Sequence, residues 1–130
     1  MMEELSLFRM AAAMARHASA RHHVVAENVA NADTPEFRAR DVKAFSEYVN
    51  DPFMARATRA GHVGFQPLAR AGTDPEIFKD SATSTSGNGN TVSLETEMIK
   101  AAEAKGQHEM AMAIYRKAHD FLRLGLGRGR

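Results

Sequence analysis

Apolar residues recur at alternating steps of three and four along the first part of the chain. Residues 3–30 contain no proline or glycine and are rich in alanine, a strong helix former. The stepped positions are Leu5, Phe8, Ala12, Ala15, Ser19, His22, Ala26 and Val29, and the stripe is widened by Ala11, Ala18 and Val25. This pattern predicts one long helix from residue 3 to about 30, with a coiled-coil-like seam. Because the seam is small and partly polar, it buries little apolar area, and we expect fraying in a free monomer.

A second helical pattern occupies the C-terminal part of the chain. Ser93 is a suitable N-cap, and Glu95 and Glu97 follow where the helix dipole favours acids. The apolar positions are Met98, Ala101, Ala102, Met110, Ala113, Ile114, Phe121 and Leu124, flanked by Met112, Tyr115 and Leu122. So broad a surface exceeds what one partner helix covers, and it predicts neighbours on more than one side. Residues 125–130 are expected to form a frayed basic tail.

The pattern between these helices is irregular. The prolines all lie there, at Pro35, Pro52, Pro67 and Pro75. Residues 41–49 are predicted to form a short amphipathic helix, with Val42, Phe45 and Val49 on one face, and residues 62–66 a short strand. The Ser-, Gly- and Asn-rich residues 81–90 have the composition of a flexible linker. The predicted organisation is therefore an N-terminal helix (1–31), an irregular middle (32–90) and a C-terminal helix with its tail (91–130).

Residues 27–37, here called the stop segment, end the first helix. Asn28 and Asn31 are three apart and should share a helix face. Asn tolerates the left-handed conformation that often closes a helix, so Asn31 is the predicted C-cap. Thr34 precedes Pro35 and is pushed towards extended geometry. On residue types alone, an ordinary helix exit followed by a turn explains this segment, with Asp33 bonding nearby backbone and Phe37 folding back as an apolar anchor.

Composition and charge limit the possible functions further. The net charge of +1 gives no strong field for nucleic acid or an anionic membrane. The chain has no cysteine, so disulfides and Cys-based metal sites are excluded. Large apolar residues are sparse, and a thin core of this kind usually needs partners. No apolar run reaches about 18 residues, the length of a membrane span, and charged residues near the start argue against a secretory signal despite Ala-Ser-Ala at 18–20.

Two motifs carry a family resemblance. Residues 28–37, Asn-Val-Ala-Asn-Ala-Asp-Thr-Pro-Glu-Phe, followed by Arg-Ala-Arg-Asp-Val, resemble the N-terminal signature of flagellar basal-body rod and hook proteins, especially their proximal rod members. Residues 89–95, Gly-Asn-Thr-Val-Ser-Leu-Glu, resemble the segment before the C-terminal helix of the same family, which usually has Asp where this chain has Ser93. The family has glycine after the proline. Glu36 stands there in this chain, and the Pro35-Glu36 pair suits a type I turn.

The resemblance implies a mainly α fold, in which the long N- and C-terminal helices pair as an antiparallel coiled coil around an irregular middle segment. It implies a structural subunit of the basal body, in the periplasmic space, that contributes to motility. The implied partners are further copies, other rod and basal-body proteins and the flagellar type III export apparatus, with no nucleic acid and no direct membrane insertion. The positions expected to carry assembly are Leu5, Phe8, Asn28, Val29, Asn31, Asp33, Thr34, Pro35, Phe37, Asn90, Met98, Met110, Ile114 and Phe121.

Candidate chemistry is sparse by comparison. His17, His22 and His23 lack the i, i+4 spacing of paired helical metal ligands, and His108 and His119 are three turns apart. The glycine-rich residues 86–90 lack the Lys and Ser/Thr of a phosphate-binding loop. We therefore expect no cofactor and no catalytic activity. The alternative to a filament subunit is a helical-hairpin adaptor that binds a partner helix without polymerising.

Overall fold

The computed structural model describes residues 2–49, 75–81 and 85–127. Its elements in chain order are α1 (Met2–Ala30), β1 (Arg40–Val42), α2 (Phe45–Val49), β2 (Ile77–Lys79) and α3 (Leu94–Gly127). The predicted fold class is confirmed, because two long terminal helices pack against each other and the middle is irregular. Within the described residues, neither long helix has a stretch apolar enough to cross a membrane. The predicted strand at 62–66 lies outside the described residues.

The two long helices run antiparallel. The ring of Phe8, near the start of α1, lies 5.1 Å from that of Tyr115 in the second half of α3, edge to face. Further along α1, Arg21 bonds Glu103, and Asn28 at the end of α1 bonds Glu97 at the start of α3. From the start of α1 to its end, these three contacts fall on successively earlier residues of α3.

The seam between the helices is built from small side chains seven residues apart. Ala11, Ala18 and Val25 are buried on α1, and Ala104, Ala111 and Ala118 are buried on α3. Heptad spacing keeps such residues on one face, and alanine lets two helix backbones approach closely. Among the described residues, every buried apolar side chain is alanine or valine. The two helices therefore bury little apolar area against each other.

The predicted α1 seam was displaced by one residue. Ala12, Ser19 and Ala26 are exposed, and Val29 is 42% exposed, whereas the residues predicted merely to widen the stripe form the contact. One residue turns the helix surface by about 100°. Alanines lie on both sides of α1, so the apolar pattern does not distinguish the buried side from the exposed one. The buried side also carries the polar side chains of His17 and Asn28, which a search for apolar residues leaves out.

Helix α3 turns its large apolar residues outward. Its alanine stripe faces α1, while Met98, Met110, Phe121 and Leu124 are each more than half exposed. The helix also continues through Gly127, so residues 125–127 are not the frayed tail that was predicted. Glycine costs about 1 kcal/mol relative to alanine inside a helix, which is too little to end a helix already propagated over many turns.

The middle segment contributes a two-stranded antiparallel ladder. Arg40 pairs with Lys79, Asp41 with Phe78 and Val42 with Ile77, and bonds from Lys43 N to Glu76 O and from Asp80 N to Ala39 O extend it at both ends. The short helix predicted for residues 41–49 is therefore confirmed only from Phe45 onward. Asp41 and Val42 lie in β1 because Val42 is buried and its backbone is paired with β2, a tertiary contact that local periodicity does not reveal.

Candidate functional site

The stop segment ends α1 at Ala30 by side-chain capping. Asn31 Nδ2 donates to the carbonyl oxygen of Glu27 at 2.8 Å, and the Asn31 backbone N–H donates to the same oxygen at 3.1 Å. Thr34 Oγ1 in turn donates to Asn31 Oδ1 at 3.2 Å. Asn31 thus caps the helix as predicted. It does so through its amide and not through a left-handed backbone, since the described non-glycine residue with positive φ is Glu36.

The turn that follows is type II rather than the predicted type I. Phe37 N donates to Thr34 O at 3.3 Å across Pro35, and Glu36 has φ of 60°. Glycine suits that position, and a residue with a side chain is strained there by about 1–2 kcal/mol. The conformation is held because Glu36 N donates to the carbonyl oxygen of Asn88 at 3.1 Å. The backbone contact with residues 85–90 therefore overrides the local preference of glutamate.

Gly89 makes this contact possible. It has φ of 79°, and a Cβ there would lie 3.3 Å from Glu36 Cγ and 3.4 Å from Glu36 Cα. Two turns thus pack backbone to backbone, and each contains a residue in the left-handed region. Residues 86–90, predicted to be part of a flexible linker, form a hydrogen-bonded turn instead: Gly89 N donates to Ser86 O and Ser86 N to Asn90 O.

Asn90 binds the turn that follows α1, although it lies 56–59 residues away from that turn in sequence. Its side chain is buried, and Nδ2 lies 2.9 Å from the carbonyl oxygens of Asn31 and Ala32 and 2.7 Å from that of Thr34. Its Oδ1 accepts the N–H of Val92 at 2.7 Å. These three carbonyls belong to the turn that follows α1. One side-chain amide from the second sequence motif therefore binds the turn of the first.

Asn28 connects α1 to both other elements at this end. It is fully buried, donating from Nδ2 to Arg40 O at 2.7 Å and to Glu97 Oε2 at 3.0 Å, while Oδ1 accepts Arg40 N at 3.0 Å. A buried amide that is fully bonded fixes geometry, because removing either partner leaves unsatisfied groups. Asn28 and Asn31 therefore have different roles, one joining three elements and the other capping a helix.

The backbone on either side of the two motifs is also joined. Ala39 N donates to Thr91 Oγ1 at 2.8 Å, and Thr91 N donates to Phe37 O at 3.1 Å. We call this whole region the junction: the stop segment, the β1–β2 ladder, residues 85–93 and the first turns of α3.

A buried charge cluster lies at the centre of the junction. Lys100 Nζ is 2.6 Å from Asp80 Oδ2, 3.3 Å from Asp41 Oδ2 and 3.4 Å from Glu97 Oε1. Burial by itself would lower the pKa of Lys100, but the hydrogen bond that Lys100 donates to Asp80 and the charges of Asp41 and Glu97 outweigh it, and the pKa is raised. Lys100 therefore stays charged at neutral pH and links α3 to β1 and to the residue after β2.

Two further residues of α1, Arg21 and His17, contact the segment that contains β1 and α2. Arg21 Nε donates to Asp41 Oδ1 at 3.2 Å, and Arg21 also reaches Glu103 on α3 at 3.1 Å. His17 is buried, donates from Nε2 to Lys43 O at 2.6 Å and packs its ring 5.5 Å from that of Phe45. The ladder and α2 are thus fixed to the face of α1 beside the seam.

The structure divides the predicted assembly residues into two groups. Asn28, Asn31, Phe37 and Asn90 meet in the junction, with their hydrogen bonds inside the subunit. The others are distributed along the helices and turn: Leu5 lies in α1, Phe8 and Ile114 are half-buried, and the exposed ones are Val29, Asp33, Thr34, Pro35, Met98, Met110 and Phe121. Asn28 and Asn90 are buried, so we expect these two residues to affect assembly through the shape of the subunit.

Sequence reasoning missed the charge cluster. Arg21, Asp41, Asp80 and Lys100 were not among the candidate residues, and Glu97 was considered only for the helix dipole. One signal was present, because 97, 100, 104, 111 and 118 follow the same three-four and seven-residue spacing. Charged residues at the first positions of an otherwise alanine seam indicate buried ion pairs. Within the described residues, no group of three or more His, Asp or Glu could hold a metal ion.

Comparison with known proteins gives one consistent result. No protein-family model matches the chain. It is 34% identical over 124 residues to a flagellar basal body rod protein FlgB of Agrobacterium fabrum, an alignment covering 91% of this chain and 90% of that protein. It is 29% identical over 96 residues to FlgB of Cereibacter sphaeroides, covering 72% and 73%, and 30% identical over 88 residues to FlgB of Borreliella burgdorferi, covering 62% and 65%.

Proposed function

The chain belongs to the FlgB family of flagellar basal body rod proteins, and we propose that its α1–α3 pair is the unit that assembles, with the junction fixing the shape of that unit. It is a structural subunit of the proximal rod, in the periplasmic part of the basal body. It assembles with other basal-body rod components, and flagellar motility depends on that assembly. How the subunit makes its contacts is the substance of the proposal.

The observation that supports the proposal is the exposed apolar face of α3. The alanine stripe of α3 is covered by α1, whereas large apolar side chains are exposed in its first turns and over its second half. These exposed side chains are Leu94, Met98, Ile99, Met110, Met112, Tyr115, Phe121, Leu124 and Leu126. Burying a Met, Leu or Phe side chain contributes about 1.5–3 kcal/mol. Exposed apolar surface on this scale is typical of a protein–protein interface. Neighbouring subunits would supply the apolar burial that the alanine seam lacks.

The junction fixes the path of the chain between the two long helices. The hydrogen bonds of Asn28 and Asn90 and the ion pairs of Lys100 fix where the chain leaves α1 and where it enters α3. A subunit in a regular tube must present the same surfaces in each copy. The proposed role of the junction is to hold the ladder at one angle to the helix pair, so that every copy has the same shape.

Transport of the subunit fits the same physical picture. We include in the proposal export through the flagellar type III apparatus, and a place in the tube without membrane insertion or nucleic-acid binding. An interior of alanine and valine gives a subunit that is easily unfolded for passage through a narrow channel. The same subunit gains its stability afterwards, from the neighbours that cover α3.

The experiment replaces two exposed apolar residues of α3. The variant Met110→Asp with Phe121→Asp removes about 3–6 kcal/mol of apolar burial per subunit interface and introduces charge. Cells carrying it should export the protein but lack rods and motility, while the purified chain keeps its helicity. The matched control is His119→Asp, an exposed polar neighbour on the same helix, which should swim. Normal rods in the double variant would contradict the proposal.

A further inference from the structure

Charge is unevenly distributed along the helix pair. The half remote from the junction, residues 2–16 and 110–127, contains five basic residues against three acidic ones. The half that includes the junction, residues 17–49, 75–81 and 85–109, contains eleven acidic residues against seven basic ones. The helix dipole favours acids near an N-terminus and bases near a C-terminus, but only within the first and last turn. Lys117 lies nearly three turns before the end of α3, so the dipole does not account for its position.

The basic end presents an apolar groove. One groove near the end of α3 is lined by Lys117, Phe121, Arg123 and Leu124, which we call the tip patch, together with Asp120 and two glycines. Phe121 is 64% exposed and Leu124 is 69% exposed. Within the described residues, neither Lys117 nor Arg123 forms an ion pair. The tip patch is therefore an apolar surface flanked by two cations, with a single carboxylate, Asp120, in the same groove.

The opposite end of the same helix has the complementary chemistry. Leu94 and Met98 are one turn apart and are 54% and 72% exposed, and Glu95 is exposed beside them. These three residues form what we call the base patch. It combines apolar side chains with a carboxylate, where the tip patch combines apolar side chains with cations. Asp33 of the stop segment, also exposed, adds a second acid at this end.

We propose that the tip patch receives the base patch of a second copy of this chain, so that copies stack head to tail. The inference rests on the proposed function and names the surfaces by which one subunit meets the next. Apolar residues of the two patches pack together, and Lys117 and Arg123 pair with the acids of the neighbour. A contact between two different patches is heterologous and does not close on itself unless the rotation brings it round into a ring. Such a contact suits a tube and excludes a closed two-fold dimer.

The test uses the full chain and reverses charge at one patch at a time. The tip variant is Lys117→Glu with Arg123→Glu, and the base variant is Asp33→Lys with Glu95→Lys. Association is measured by sedimentation against protein concentration, at about 0.03 M and about 0.5 M salt. Each variant alone should associate about tenfold more weakly than the wild type at low salt, and the difference should shrink at high salt. Circular dichroism confirms that each variant keeps its helices.

Mixing supplies the decisive result. The tip variant has two acidic ends and the base variant has two basic ends, so an equimolar mixture should associate at least as strongly as the wild type. The matched control, Lys79→Glu with Lys105→Glu, changes net charge as the tip variant does but at exposed positions away from the tip, and should associate normally. A tip variant that associates like the wild type, or a mixture no better than its components, would overturn head-to-tail stacking.

The outcomes separate this inference from the proposed function. A wild-type chain that associates, with variants that do not respond to charge, would overturn the stacking and leave assembly through α3 intact. A wild-type chain that stays monomeric at every concentration would overturn both.

Discussion

Replacing Lys100 with methionine removes the cation that faces three carboxylates at the junction. Methionine keeps an unbranched side chain of similar length, so the variant tests charge more than volume. Removing one partner of a buried ion pair costs about 3–5 kcal/mol, because the remaining charges are left uncompensated. The side chain of Lys100 is 11% exposed, and we therefore expect a loss near the lower limit, about 3 kcal/mol. That is a large part of the total stability of a small domain, about 5–15 kcal/mol.

The dependence on pH has a definite sign. The pKa of Lys100 is raised in the folded chain above its ordinary value of 10.5. The stability that its charge contributes is therefore fully present below about pH 10.5 and is lost as the pH rises through the raised pKa. The wild type should lose stability in that alkaline range, and Lys100→Met should not.

The measurement is urea unfolding followed by far-ultraviolet circular dichroism, for the wild type and the variant from acid to alkaline pH. The control is Lys105→Met, an exposed lysine on the same helix whose contact with Glu109 is 4.0 Å long. Exposed pairs contribute about 0–1 kcal/mol, so this control should unfold almost as the wild type does. If both variants lose the same small amount of stability at pH 7, the charge cluster does not hold the junction together.

Four further changes probe the two sequence motifs. Glu36→Gly should raise the free energy of unfolding by about 0.5–1 kcal/mol, because glycine adopts positive φ without strain; an unchanged urea midpoint would contradict this. Gly89→Ala should lower the free energy of unfolding by about 1–2 kcal/mol, since alanine is strained at positive φ and its Cβ would contact Glu36. Asn90→Ala should lower it by about 1–3 kcal/mol, by leaving carbonyls of the turn after α1 without this donor. Replacing both Asn28 and Asn31 with leucine should abolish rod assembly while leaving export intact, and normal motility in that strain would count against the junction.

The helices were the most predictable part of the fold. Alanine-rich segments without proline or glycine have a high helix propensity along their whole length, and α1 matched its expected bounds closely. The face of α1 was not predictable, because alanines stand on both candidate faces and the buried one carries His17 and Asn28. Their burial depends on hydrogen bonds to the middle segment, and such partners leave no periodic signal in the helix itself.

The junction shows a different limit. The stop segment was identifiable as a helix exit, and Asn90 as part of a second motif, but their contact joins residues about sixty apart. Residues 86–90 have a linker's composition and are nevertheless ordered by bonds to the stop segment. Glu36 adopts a glycine conformation for the same reason. Local preferences of about 1 kcal/mol yield to several tertiary hydrogen bonds acting together, and only the fold reveals which bonds those are.

Hydrogen exchange along α3 tests the central claim, that neighbouring subunits supply the stability the alanine seam lacks. In the dilute monomer, amides of residues 94–104 should be protected by the junction, and those of residues 110–127 should exchange quickly. In assembled rods, both stretches should be protected. Equal, strong protection of residues 110–127 in the dilute monomer, unchanged by assembly, would contradict the claim.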